Sequence, residues 1–216
     1  PPELVGRLVP PMYANYFLYV SLSSGEIASA YWPGFALLLA PFSLLGAPWA
    51  CNPLLACLAL VLMGKIAARL SGEPRAAGWA MLLALASPAF TAMALTYFSM
   101  TAHLLLNLAF AWLLLERTPR RLLMAGAVGS FALILHNPLP HVLFALPWVA
   151  WLALQRDARG LGTLAAGYLP VALLGGFGWP LLLSHLQGPV AYALLPGDSG
   201  ALGSAVNFLW SWHVKM

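Results

Sequence analysis

Charged residues are scarce in this sequence of 216 residues. Only 7% of them are Asp, Glu, Lys or Arg, whereas 62% are hydrophobic, and the mean hydropathy is +0.84. An ordinary soluble domain carries about 25% charged residues, so this chain has too few to form a water-solvated surface. The composition excludes an ordinary soluble domain and predicts an all-α polytopic integral membrane protein, with membrane lipid as its solvent.

Cysteine and the common catalytic motifs are also rare or missing. Cys51 and Cys57 are six residues apart in one apolar segment, and a helix turns them to different faces, so we expect no disulfide between them. The sequence has no phosphate loop, no nucleophile elbow and no His-Glu-x-x-His segment. It therefore predicts neither a cofactor nor a metal. The net charge of +4 is dispersed without a basic stripe, which argues against nucleic acid.

The few basic residues are concentrated in three short connections. Eight of the ten Lys and Arg lie there: Lys65, Arg69, Arg75, Arg117, Arg120, Arg121, Arg156 and Arg159. Four of the five His lie at the opposite ends of the apolar segments. By the positive-inside rule the basic connections are cytoplasmic, so any chemistry faces outward.

The apolar segments between these connections predict the organisation of the chain. We expect a long outer loop over 1–31, an interfacial or re-entrant helix over 33–45, six transmembrane helices within 51–184, and an outer loop with the start of a further segment over 185–216. The helices are predicted at 51–69, 76–93, 96–115, 121–136, 138–155 and 161–184, with a break at Ser87-Pro88. In the last of them Gly162, Gly167, Gly175, Gly176 and Gly178 permit close packing or local unwinding. The ends of the chain lack a start Met and stop just past a loop, so we expect it to be truncated at both ends.

Polar residues at membrane depth indicate a site. Ser99, His103 and Asn107 recur every four residues and so share one helix face. His103 is fourteen residues from Arg117, roughly 21 Å above the inner boundary. An ionisable residue at that depth predicts function, although interhelical hydrogen bonding is an equal alternative.

A turn rich in His and Pro follows the shortest predicted span. The segment 121–136 rises only about 24 Å, so His136-Asn137-Pro138 should lie below the outer membrane surface. Irregular backbone there needs protein or water around it, which predicts an outward-opening pocket that also includes His141. The alternative is an interfacial turn whose His side chains bind lipid headgroups. No acidic or Cys residue adjoins these His, which argues against a metal.

Four segments resemble bacterial membrane glycosyltransferases of the GT-C superfamily, which include protein mannosyltransferases and aminoarabinose transferases. They are Gly6-Arg7-Leu8 with Pro10-Pro11, the stretch from Ser29 through Tyr31-Trp32-Pro33-Gly34 to Pro41, Asn52-Pro53-Leu54-Leu55, and Leu85-Ala86-Ser87-Pro88. Together they cover roughly the first half of the chain, and their order carries the resemblance more than any single motif.

The resemblance implies a hexosyltransferase of the bacterial inner membrane and cell envelope. It would move a sugar from a polyprenyl-phosphate donor to an acceptor at the outer face. Together with the polar stripe and the His-Pro turn described above, this gives eight candidate substrate-binding residues: Arg7, Tyr31, Trp32, His103, Asn107, His136, Asn137 and His141. The family's catalytic carboxylate would precede Pro1, which leaves Glu3 and Glu26 as the weak candidates within the chain. Where relatives carry Thr-Arg-Pro, this sequence has His136-Asn137-Pro138, so the group that meets the donor phosphate is open.

Two other classes of function fit the same sequence. A transporter or flippase would also be polytopic, and the Gly-rich stretch from Gly175 to Pro180 could be an unwound segment of one. A non-catalytic membrane scaffold would leave His103 and His136 dispensable.

Overall fold

The computed structural model describes residues 18–20, 27–29, 31–136, 138–179 and 181–182, and within them the protein is almost entirely α-helical. Eight α-helices are described: α1 Gly34–Leu44, α2 Cys51–Ser71, α3 Arg75–Leu85, α4 Pro88–Ala94, α5 Met100–Leu114, α6 Pro119–Leu133, α7 Leu139–Leu154 and α8 Ala158–Leu173. A 3₁₀ turn at Pro48–Ala50 leads into α2. The helical class and every predicted helix between residues 33 and 173 are confirmed, with ends shifted by a few residues.

The chain divides into two compact units. One comprises Trp32–Ala172 and holds α1 to α7 and nearly all of α8. The other comprises Pro1–Tyr31 with Leu173–Met216. In the latter, β1 (Leu18–Val20) pairs antiparallel with β2 (Ile27–Ser29), with Tyr19 opposite Ala28. The sequence analysis read this stretch as loop and missed the pairing.

The Gly-rich segment after α8 departs from α-helical geometry. Leu174–Gly178 forms a π-helical turn directly after Leu173. Wide turns of this kind insert an extra residue into a helix and leave its backbone bonds strained or re-paired. The sequence allowed either close packing or local unwinding here, and the structure has a wider helical turn.

Gly, Ser and Pro residues mark the ends of α2 and α3 and the start of α4. α2 ends at Gly72, which adopts a left-handed conformation with φ 75° and donates its backbone N–H to Ala68. α3 stops before Ser87-Pro88, where the Ser87 side chain accepts a hydrogen bond from the Phe90 amide at 3.4 Å and Pro88 opens α4. The axes of α3 and α4 meet at 74°, so the predicted break is confirmed.

The core of the larger unit lies between α5, α6, α7 and α8. Phe110, Leu114, Leu122, Leu152 and Leu164 are all buried there. α6 and α8 approach closely because Gly126 faces Gly167: a Cβ added to Gly126 would lie 2.8 Å from the Cα of Gly167. Small residues permit such contacts between helix backbones. The close packing predicted for Gly167 is thereby confirmed.

The helices run in alternating directions, which places connections of one kind at the same end of the bundle. The starts of α2 and α5 and the end of α6 meet in one apolar cluster that contains Cys51, Ala102 and Leu135. The opposite ends of these helices therefore lie together, and they carry the turns that follow α2 and α5. The guanidinium of Arg117, after α5, lies 4.6 Å from the centre of the Trp151 ring near the end of α7. All three basic connections thus lie at one end of the bundle, which we call the basic end.

Helix length does not support six independent spans in the described residues. One helix, Pro48–Ser71 with its 3₁₀ turn, is long and apolar enough to cross a membrane, and the bent pair α3 and α4 makes a second if counted as one span. The apolar helices α1, α5 and α7 are shorter, with 11, 15 and 16 residues. The predicted span 96–115 included Thr96 and Leu115, which lie outside the helix Met100–Leu114. Both cysteines are free, as expected.

Candidate functional site

The start of α1 is joined to the end of α6 by two backbone hydrogen bonds. The amide of Gly34 donates to the Ile134 carbonyl at 2.9 Å, and that of Phe35 donates to Leu135 at 3.0 Å. A Cβ on Gly34 would lie 2.6 Å from the Ile134 oxygen, so only glycine fits. Trp32 just before this contact is 8% exposed. The Trp-Pro-Gly-Phe segment therefore anchors directly beside the turn that carries His136.

A chain of polar side chains crosses the bundle from α5 to α8. The Nδ1 atom of His141 lies 2.6 Å from the Asn107 amide oxygen, and its Nε2 atom lies 2.6 Å from the Tyr168 hydroxyl. Because the amide oxygen only accepts, Nδ1 carries the proton and Nε2 accepts the Tyr168 O–H. His141 is fully buried, and the Phe110 ring meets it edge-on with centroids 5.1 Å apart. Both nitrogens of His141 are thus satisfied within the protein.

Two residues of α6, Gly129 and Ser130, accommodate this row of hydrogen-bonded side chains. A Cβ added to Gly129 would collide with the Tyr168 hydroxyl and approach the His141 Nε2 atom to 2.7 Å. The next residue, Ser130, donates its hydroxyl to the Tyr168 carbonyl at 2.6 Å. Sequence analysis missed Gly129, Ser130 and Tyr168. The available signal was a Gly-Ser pair inside an apolar helix together with a single Tyr between small residues and Pro170.

His103 differs from His141 because its ring has no hydrogen-bond partner among the residues that the structure describes. It is 4% exposed, and neither ring nitrogen makes a hydrogen bond within the described part of the chain. Its ring lies within electrostatic range of both His136 and His141. Buried polar groups are almost always hydrogen-bonded, so a buried imidazole with two open nitrogens marks a place where a partner is missing.

The three polar residues predicted to share one face, Ser99, His103 and Asn107, lie on successive turns at the start and along α5. Ser99 is buried, and its carbonyl accepts the His103 amide at 2.9 Å. One turn further on, Asn107 contacts His141 as described above. His136 is half-buried at the end of α6. The structure therefore brings His103, Asn107, His136 and His141 to one region, at the end of the bundle opposite the basic end.

Asn52 is a further polar anchor at this end, and it was not singled out in the sequence. Its side-chain amide donates to the carbonyls of Thr96 at 2.5 Å and Phe98 at 2.8 Å, tying the start of α2 to the turn before α5. Its own carbonyl oxygen is buried without a partner in the described residues. Asn52 opens the Asn-Pro-Leu-Leu segment that carried part of the family resemblance.

The remaining candidates are distributed elsewhere. Glu3, Arg7, Glu26 and Asn137 lie outside the described residues. Tyr31 belongs to the smaller unit, and burial raises the pKa of its hydroxyl above the ordinary value. Among the described residues there is no group of three potential metal ligands.

Carboxylates are missing from this region within the described residues. Their three acids are Glu73, Glu116 and Asp157, and all belong to the basic connections. Glu116 pairs with Arg121 at 3.1 Å, and Asp157 accepts the Gly160 amide at 2.8 Å. The buried histidines can therefore donate or accept hydrogen bonds, and the remaining carboxylates of the sequence, Glu3, Glu26 and Asp198, lie outside the described residues.

No protein family model, curated protein or solved structure matches this chain. The resemblance to GT-C glycosyltransferases therefore stays a prediction from its motifs.

Proposed function

We propose that this protein is a polytopic membrane protein with six bilayer-crossing segments, some of them broken or short. Its outer surface supports this, because large apolar side chains are exposed along the helices: Leu83 is 71% exposed, Leu143 60% and Leu169 55%. Water would solvate such a surface poorly, whereas lipid would solvate it well. Helices of 15 or 16 residues rise about 23 Å, so the bilayer would thin locally or the flanking turns would enter it.

The proposed orientation has the basic end in the cytoplasm and the histidine region near the outer face. The clustering of all three basic connections at one end supports it, since a bundle with basic turns at both ends would give no preferred direction. Arg117 covers Trp151 there, which is typical of side chains at a membrane interface.

Within this frame we propose that the chain is part of a glycosyltransferase that takes a sugar from a polyprenyl-phosphate donor. The observation that carries the proposal is His103, buried yet with both ring nitrogens open. In the proposed complex its N–H donates to the donor phosphate or to a sugar hydroxyl, and His136 donates from the turn after α6. The lipid tail remains in the bilayer while the phosphate and sugar enter the polar region.

The proposal assigns different roles to the other histidine and to the aromatic residues. His141 is a positioning residue, because Asn107 and Tyr168 already occupy both of its nitrogens. Trp32 is buried at the start of α1 and anchors that helix. Tyr31 is therefore the aromatic residue proposed to bind the sugar. The acceptor hydroxyl would lose its proton to a carboxylate such as Glu3 or Glu26 while its oxygen bonds to the sugar's anomeric carbon and the polyprenyl phosphate leaves, in one inverting displacement. Arg7 is the proposed second phosphate contact.

The test is turnover of labelled polyprenyl-phosphate sugars by the full-length protein in liposomes. His103→Ala should lower turnover at least about tenfold, as expected for loss of one charge-assisted contact, while the amount of folded protein stays near normal. Thr101→Val is the matched control, because Thr101 is equally buried on the same helix but donates to the Met93 carbonyl at 3.0 Å. No consumption of any donor sugar by the wild type would overturn the proposal.

A transporter or flippase is the second candidate, and the break between α3 and α4 favours it. Broken helices are the parts from which many transporters build their substrate sites. The two functions differ in one measurement: a transporter moves the labelled lipid or solute across the liposome membrane without breaking the sugar–phosphate bond. Loss of label from the donor without such movement would favour the transferase, whereas neither donor cleavage nor movement by the wild type would favour a scaffold.

A further inference from the structure

A groove lies between α2 and α3, away from the histidine region. Its volume is about 340 Å³, within the range of small-molecule sites. Six of its seven lining residues are apolar, including Val61, Ala68 and Ala77, and the seventh is Lys65. Gly64 opens the floor of the groove, because a Cβ there would approach the Met81 sulfur to 3.0 Å.

Lys65 at this groove forms no ion pair with a side chain of the described residues. The ion pair found between side chains of the described residues joins Arg121 and Glu116, in another turn, so Lys65 lacks a carboxylate there. Lys65 is exposed, and Arg69 and Arg75 flank it along the chain without acidic partners in those residues. Glu73 is the one acid in this connection. The rim is therefore net positive, next to an apolar groove.

Lys65 also sits at a suitable depth for a lipid headgroup. It lies six residues before Ser71, so about 9 Å of helix separates it from the end of α2. A lysine at such a depth extends its ammonium toward the membrane surface, where lipid phosphates lie. Pro74, which precedes the first turn of α3, lines the same groove, so the positive end of the α3 dipole faces the rim.

We propose that this groove binds one anionic phospholipid of the cytoplasmic leaflet, with an acyl chain against the apolar lining and the phosphate at Lys65. Basic pockets between helices on the cytoplasmic side are a recognised means of holding acidic headgroups. The inference rests on the membrane orientation proposed above but not on transferase activity. Its role would be to fix the depth and tilt of α2 and α3.

The experiment is native mass spectrometry of the full chain in detergent, titrated with phosphatidylglycerol or with phosphatidylcholine of identical acyl chains. We expect phosphatidylglycerol to bind about fivefold more than phosphatidylcholine, the effect of about one basic residue near an anionic headgroup. Lys65→Gln should remove that preference. Arg120→Gln, which deletes an exposed charge in a different basic turn, should keep it.

A second pair of variants tests the groove itself. Ala77→Phe fills it, whereas Gly78→Phe adds the same side chain where a Cβ meets nothing within 4 Å. Only the former should reduce lipid binding. Equal binding of both lipids, equal losses in Lys65→Gln and Arg120→Gln, or displacement by soluble glycerol phosphate would each overturn the proposal. Because lipid binding is measured without turnover, an inactive transferase would leave this result unaffected.

Discussion

The Tyr168 hydroxyl lies 2.6 Å from the Nε2 atom of His141, and the two residues come from different helices whose contact depends on the absence of a side chain at Gly129. The hydrogen bond fixes the imidazole in the tautomer that Asn107 also requires. A fully buried histidine is held neutral and oriented by neighbours on both sides. It thereby supports the region next to His103 without offering a free nitrogen of its own.

Tyr168→Phe should destabilise the protein by about 1–2 kcal/mol, because Nε2 of a buried imidazole loses its donor. Unfolding of the purified protein in mild detergent, followed by intrinsic fluorescence, measures the change. The control is Tyr97→Phe, since Tyr97 is 57% exposed and should give a change near zero. Equal stabilities for the two variants would mean that the hydrogen bond contributes nothing.

Gly126→Ala and Gly162→Ala should have opposite effects although the chemical change is the same. Alanine favours a helix over glycine by about 1 kcal/mol, which should appear as stabilisation at Gly162, where the new methyl group meets nothing within 4 Å. At Gly126 the methyl group collides with the α8 backbone at Leu164 and Gly167. Overpacking of this kind costs about 1–3 kcal/mol. Thermal unfolding of the two variants side by side checks the difference in sign, and stabilisation by Gly126→Ala would contradict the close helix contact.

The sequence predicted the helices better than their lengths. Apolar runs bounded by Gly72, Ser87-Pro88 and Thr118-Pro119 identify helices, because capping and proline chemistry are local. Length is less local: whether Thr96 or Leu115 joins a helix depends on tertiary hydrogen bonds such as those of Asn52 to Thr96 and Phe98. Hydropathy cannot report those bonds, so the span 96–115 was predicted too long, whereas 51–69 was predicted slightly too short.

The site shows the same division between local and tertiary information. Spacing of four residues correctly grouped Ser99, His103 and Asn107, since a helix has a fixed period. Spacing could not separate the roles of the histidines. Within the described residues, Asn107 and Tyr168 both bond to His141, and neither bonds to His103. That difference depends on how α8 crosses α6, which is set by glycine contacts that no short motif reveals.

The membrane orientation can be tested with reporter fusions. Fusions at Gly72, Pro119 and Ala158 should all report the cytoplasm, because each falls in a basic connection and these connections lie at one end of the bundle. Fusions at Ser24 and Gly197 should report the exterior. Paired alkaline phosphatase and green fluorescent protein fusions give opposite signals in the two compartments. An exterior signal from Gly72 together with an interior one from Pro119 would contradict the common basic end.

Gly34→Ala should uncouple α1 from the end of α6. The added methyl group would lie 2.6 Å from the Ile134 oxygen, so the hydrogen bonds from Gly34 and Phe35 could not both persist. Gly78→Ala is the matched control, because that glycine also lies in a helix and has open space around it. We expect the Gly34 variant to expose Trp32, seen as a red shift of its fluorescence in a protein whose other tryptophans are replaced by Phe. Turnover of the labelled donor should fall in parallel, since the turn that carries His136 loses its support. An unshifted Trp32 spectrum in this variant would show that α1 is held by its side chains rather than by the backbone contact.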